Sequence, residues 1–222
     1  VASGSVNDGD THNLSIIWGT NSANGKGNVT GYVSIRDVES LTQESRDYSS
    51  CALNLDANNN LVCAGSGTIP EGRVTDFAGG FDFQVDGDQF VPFNTLYNYG
   101  PLNHWQRPDE RRTAGIFAKY EVNNDVEIYG EFNFMDDRTN AQIAPSGAFF
   151  DTDEIPCGNP YLSAQQFDQL CGQFGLTVDD VQTAYIGRRN VEGGPRNDDL
   201  RHTSYRGVIG MRGDLNENWS FD

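Results

Sequence analysis

Residues 113–135 read TAGIFAKYEVNNDVEIYGEFNFM, and this stretch decides the fold class. Ala114, Ile116, Ala118, Tyr120 and Val122 share one parity. Asn123-Asn124 turns the chain and Asp125 leads into the return. Val126, Ile128, Gly130, Phe132 and Phe134 then alternate with Glu127, Tyr129, Glu131, Asn133 and Met135. Successive side chains of a strand point to opposite faces, so alternation this long predicts two strands. The Asn pair between them supplies the turn. Residues 111–136 are therefore expected to form a hairpin.

The same pattern continues on both sides. His12–Thr20 sets Leu14, Ile16 and Trp18 on one face, with Ile17 breaking the alternation. Gly27–Val38 sets Val29, Val33 and Ile35 against Tyr32, Ser34 and Arg36. The intervening NSANGK (Asn21–Lys26) carries the Asn-Gly turn signal, which makes 12–38 a second hairpin. In 201–222, Tyr205, Gly207, Ile209, Met211 and Leu215 alternate with Arg206, Arg212 and Asp214. A short turn at Asn216–Asn218 follows, and Trp219–Asp222 begins another strand.

Three tight turns (21–26, 123–125 and 216–218) fall at one end of these strands, and two long links (39–110 and 137–200) fall at the other. Links beyond about 12–15 residues are uncommon in compact domains. Short turns on one side and long loops on the other describe an outer-membrane β-barrel. Trp18 and Trp219 lie beside tight turns, where an interfacial aromatic girdle would put them. A β-sandwich with two decorated loops fits the same pattern. The expected fold is all-β, an antiparallel barrel segment of about five strands plus a stub with two long extracellular loop regions. One of those regions carries a short helix, 162–174. There Ser163 and Gln166 form a capping-box pattern, and Phe167, Leu170, Cys171 and Phe174 recur at helical spacing. Thr183–Val191 and Leu200–Tyr205, which flank the Gly-rich Glu192–Asp199, read as a further hairpin.

The 222 residues carry 15 basic and 32 acidic side chains, a net charge of −17. Such acidity argues against nucleic acid as a partner, because phosphates must be neutralised by Lys and Arg. It argues equally against a basic membrane-surface module. No run reaches the roughly 20 apolar residues of a transmembrane helix, but barrel strands leave almost no hydropathy signal. The chain opens at Val1 in mid-pattern without an initiator Met, and reads as a processed chain or an excised piece.

Cys51 and Cys63 lie within the first long link, Cys157 and Cys171 within the second. Four cysteines allow three connectivities, and local pairs stapling exposed loops would suit an oxidising compartment. The spacings are unlike zinc ligands, and His12, His104 and His202 are scattered. Asp82, Asp86 and Asp88 near Gly87 offer oxygen ligands, but lack the spacing and terminal Glu of a calcium loop. No cofactor is implied.

No nucleophile motif or phosphate loop occurs, so no catalytic residue is assigned and the chain is not expected to be an enzyme. Acidic pairs (Asp136-Asp137, the 151–154 run, Asp179-Asp180, Asp198-Asp199) suit a glycosidase by residue type alone, and their number makes solvated loop charge the plainer reading. Thirteen of the basic residues are arginine. Arg36, Arg188, Arg189, Arg206 and Arg212 fall on strands, where acids such as Glu127 and Glu131 would pair with them. Tyr97, Tyr99, Trp105, Arg107, Phe149 and Phe150 in the long links are the candidate ligand-binding residues, alongside Phe90 and Phe93.

Two long blocks carry a resemblance. Asn103–Ala118 (NHWQRPDERRTAGIFA) with Tyr120–Val122, and Val126–Phe150 (VEIYGEFNFMDDRTNAQIAPSGAFF), strongly resemble TonB-dependent outer-membrane receptors of Gram-negative bacteria. Gly25–Val38, Glu44–Cys51 (ESRDYSSC), Gly79–Phe83 (GGFDF), Gly187–Gly194 and Asp198–Gly213 (DDLRHTSYRGVIGMRG) resemble the same group. The resemblance implies a 22-stranded barrel around a plug, located in the outer membrane, that captures a scarce nutrient such as a siderophore or oligosaccharide. It imports the nutrient when TonB pulls the plug. This chain would be about a quarter of that barrel, without the plug, TonB box or C-terminal strand. Its partners would be the small-molecule or oligosaccharide ligand, the remaining barrel and plug, and membrane lipid, with TonB engaged only through the plug. The alternative is a soluble extracellular β-rich binding module, or a hydrolase using a carboxylate pair.

Overall fold

A computed structural model describes residues 8–151 and 154–222. These residues divide into two units, the first drawn from 8–41, 105–141 and 198–222 and the second from 42–104, 142–151 and 154–197. Antiparallel sheets dominate both, with one short α-helix. Among the described residues no helix is long and apolar enough to cross a membrane.

The first unit is built on a six-stranded sheet. Its strands are β1 (Thr11–Asn21), β2 (Gly27–Val38), β3 (Asp109–Glu121), β4 (Val126–Ile143), β5 (Arg196–Asn216) and β6 (Trp219–Phe221). They are neighbours in chain order, a meander, and the sheet does not close on itself. The expected hairpins are present: Ile16 faces Val33 across β1–β2, and Ile116 faces Phe132 across β3–β4. At the first turn the amide of Ser22 donates to the Gly27 carbonyl at 2.8 Å, with Gly25 at φ +73°. The second turn closes through Val122 donating to Val126 at 2.9 Å.

Register sorts the side chains into two unlike faces. Ile16, Val33, Ala114 and Phe134 form one row; Trp18, Gly31, Ile116 and Phe132 form the next. Gly31 is opposite Trp18 because a β-carbon there would run into the indole. These apolar rows are open: Ile35 and Ile116 are about half exposed, and Ile209 is 94% exposed. The other face is polar. Ser15 and Ser34 share a hydrogen bond of 2.8 Å, and the Tyr32 hydroxyl donates to Asn133 at 3.3 Å. Arg206 pairs with Glu131 at 2.7 Å and Arg212 donates to Glu127 at 2.9 Å, as their strand positions suggest. Such exposed pairs add little to stability, because water screens them.

Most of the two long links belongs to a folded unit of its own. Strands Gly147–Phe149, Tyr185–Arg189, Arg73–Thr75, Asp82–Asp86 and Gln89–Pro92 form one five-stranded sheet in that order. The expected hairpin between Thr183–Val191 and Leu200–Tyr205 is therefore incorrect. Tyr185–Gly187 pairs with Arg73–Thr75, Gly187–Arg189 pairs with Gly147–Phe149, and both edges of the strand are filled. Leu200–Tyr205 instead belongs to β5. Strands β4 and β5 also run further than the sequence pattern indicates, because their outer residues keep pairing after the apolar alternation stops.

Val74, Phe81, Phe90, Ile155, Leu170, Cys171 and Ala184 form the core of this second unit. The helix is Ala164–Leu170, followed by a 3-10 turn at Gly172–Phe174. Its capping box is formed: Ser163 Oγ accepts from the Gln166 amide, and Gln166 Oε1 accepts from the Ser163 amide. Gln165 reaches the edge strand, where its amide bonds both the N–H and the C=O of Phe90 at 2.9 Å. That satisfies backbone groups which would otherwise recruit another strand.

Both cysteine pairs are local: Cys51–Cys63, with Cα atoms 5.5 Å apart, and Cys157–Cys171, at 6.0 Å. The first closes the exposed hairpin Leu53–Leu55/Leu61–Cys63, and the second lies inside the core. Closing loops of these lengths is worth roughly 3 kcal/mol each through the unfolded chain. Replacing Cys157 and Cys171 together by Ser also puts two hydroxyls into the core. It is expected to lower the denaturation midpoint more than the same change at Cys51 and Cys63. Chemical unfolding followed by tyrosine signals checks this, and equal losses would contradict it.

Candidate functional site

Two arginines of the second unit are surrounded by aromatic rings. Arg73 begins the central strand, and its Nε and Nη2 grip Asp82 on the neighbouring strand at 2.7 and 2.6 Å. Its guanidinium lies 3.9 Å from the Phe93 ring centre, and 5.9 and 5.7 Å from Phe77 and Phe150. Phe77 and Phe150 pack edge to face at 5.1 Å, and Phe77 also meets Tyr185 at 5.4 Å. Both phenylalanines have left-handed backbones, φ +55° and +66°. Such strain in a bulky residue persists only where its surroundings enforce it.

The enforcement is visible on each side. Asp76 accepts the N–H groups of Ala78, Gly79 and Gly80 at 2.9–3.1 Å and so shapes the turn that throws Phe77 outward. Gly187 leaves room for the Phe150 ring on its strand, where any β-carbon would overlap the ring. Partial burial works against the Asp76 charge, but the amides around it outweigh that and hold its carboxyl below the usual 3.8. A depressed folded-state pKa contributes stability above the unfolded value, lost as pH falls through the folded one. Acid titration of the wild type is expected to loosen this turn below about pH 4, and Asp76→Asn is expected to lack that part of the transition.

Arg189 ends strand Tyr185–Arg189 and is only 4% exposed. Its Nη1 donates to the Pro145 carbonyl at 2.9 Å and its Nε to Thr68 at 3.4 Å. The guanidinium lies 5.1 and 4.9 Å from the ring centres of Tyr97 and Phe149. Burial pushes it below the usual arginine value, Tyr97 works the other way and nearby Arg196 reinforces the drop. The Arg196 Nε donates to Ala144, the carbonyl next to Pro145, at 2.9 Å.

Of the residues picked out from sequence, Tyr97 and Phe149 come together on Arg189, and Phe150 joins Arg73. Tyr99 is 40% exposed and joins neither group. Trp105 and Arg107 belong to the first unit. Arg73, Phe77 and Arg196 were missed. The run Asp76-Phe77-Ala78-Gly79-Gly80 signals a turn, but nothing in it marks Phe77 as the left-handed residue. Asp82 is bound by Arg73, and among the described residues no cluster of His, Cys, Asp and Glu could hold a metal. Three of the paired acids are engaged: Arg201 bonds Asp136, Arg111 bonds Asp137, and Asp180 accepts from Thr177. Asp153 of the 151–154 run lies outside the described residues.

An arginine beside aromatic faces suits planar or anionic small molecules, through stacking and charge-assisted hydrogen bonds. No protein-family model, curated protein or solved structure matches the chain.

Proposed function

We propose that the chain is a section of a TonB-dependent outer-membrane receptor, with the six-stranded sheet as barrel wall and the second unit as an external layer that captures nutrient. The observation that carries this reading is the open apolar face of the meander. Ala114 through Val122 is a run of the length, roughly 9–11 residues, with which a tilted strand crosses a bilayer. Leu14, Val33, Ile35, Ile116, Ile128 and Phe132 are all exposed, whereas a water-soluble sandwich would bury them. Among the described residues no strand lies beside the outer edges of β1 and β6, and a wall of this kind needs further strands there, since lipid tolerates no open edge. The second unit, with its own core and two disulfides, fits the extracellular side of such a wall. The nutrient would be a small molecule or an oligosaccharide, and TonB would act through a plug carried elsewhere in the parent protein.

The coding sequence on either side tests the proposal. Expected are a plug domain upstream and more alternating strands downstream, with the product in the outer-membrane fraction. Flanks encoding neither would overturn it and leave a soluble binding module, which the independent core of the second unit favours as the next reading.

A further inference from the structure

Most of the thirteen arginines in this acidic chain find a carboxylate. Eight of them, Arg73 and Arg188 of the second unit included, have an acidic oxygen within 4.0 Å. Arg189 and Arg196 do not. Both are held by carbonyl oxygens alone, those of Thr68, Pro145 and Ala144. The bonds to these carbonyls use Nη1 and Nε of Arg189 and Nε of Arg196. Two guanidinium groups hung from adjacent carbonyls repel each other, and one is nearly buried. A buried cation without a counter-ion is costly, and a ligand anion relieves both penalties at once.

We propose that Arg189 and Arg196, with the rings of Tyr97 and Phe149 beside Arg189, form a subsite for the carboxylate of a small organic ligand carrying a flat or apolar body. The remaining N–H groups supply charge-assisted donors for the carboxylate oxygens. The Tyr97 and Phe149 rings lie beside the Arg189 guanidinium, and Phe149 is 43% exposed, which leaves aromatic surface for the rest of the ligand. Charge selects the class. In a molecule of net charge −17 a singly charged carboxylate meets less opposing field than a doubly charged phosphate ester. Arg196 is exposed and admits the ligand, whereas Arg189 forms the floor.

This names a ligand class for the capturing layer and to that extent rests on the proposed function. The measurement itself needs no membrane, so flanks without a plug would remove the receptor reading and leave this result standing, and the reverse holds too. Benzoate, acetate and inorganic phosphate are titrated into the full chain at low ionic strength, with tyrosine emission and calorimetry as readouts. Expected is saturable benzoate binding that weakens with salt and exceeds that of acetate and phosphate. Arg196→Gln, at an exposed position that does not threaten folding, is expected to weaken benzoate at least tenfold. Tyr97→Leu is expected to narrow the gap between benzoate and acetate. Absence of saturable benzoate binding, equal affinity for phosphate, or an unchanged affinity in Arg196→Gln would each overturn the proposal.

Discussion

Replacing Leu170 by alanine is expected to lower the stability of the second unit by about 2–5 kcal/mol. Leu170 is the last residue of the helix and has no exposed surface. It packs in the cluster that includes Val74, Phe81, Phe90 and Ile155, contributed by both long links. Its backbone is fixed as well, because the Leu170 carbonyl accepts from Gln182 at 2.8 Å and the following Cys171 is bonded to Cys157. With its neighbours held by a disulfide and a sheet, the site cannot collapse around the missing methyls, which places the loss toward the upper end of that range. Domains of this size have only 5–15 kcal/mol in hand. Hydrogen exchange at the amides of Val74, Phe90 and Ile186 reads the change directly. Trp18, Trp105 and Trp219 all belong to the first unit, so tryptophan emission is expected to stay as it was. A loss below about 1 kcal/mol would mean that the two links do not share one core.

Long alternating segments made the first unit legible. Thirteen consecutive pairs join β3 to β4, and the alternation of Ala114 to Val122 against Val126 to Phe134 fixes which side chains share a face. The helix was equally readable, because Ser163 and Gln166 cap it through groups visible in the sequence. The second unit's sheet was not. Its strands are three to five residues long, too short for periodicity to show, and they pair across the two links, Arg73–Thr75 against Tyr185–Gly187. Only tertiary packing selects that partner, and sequence offered the nearer but wrong one at Leu200–Tyr205. Arg189 misled for a related reason. On an exposed strand an arginine of this chain pairs with an acid, as Arg206 and Arg212 do. Arg189 instead ends a central strand of a small sheet, where the groups within reach are carbonyls and rings.

The sheet's apolar face yields a prediction whose size depends on what that face touches. Ile116 sits mid-strand on β3, directly between Gly31 and Phe132. If lipid covers this face, Ile116→Arg is expected to destabilise the inserted protein by about 2–4 kcal/mol, the cost of arginine near the bilayer midplane. Asn133→Arg, one residue along on the opposite face, stays among polar side chains and is expected to cost little. If water covers the face, replacing a half-exposed Ile by Arg falls within about 0.5 kcal/mol and improves solubility. The readout is the urea midpoint of the whole gene product refolded into phosphatidylcholine vesicles. The difference between the two variants carries the result, because any general effect of added charge is common to both. A large loss confined to Ile116→Arg follows only from a lipid-facing wall. Near-equal, small losses for both would take the sheet out of the membrane while leaving the arginine chemistry of the second unit intact.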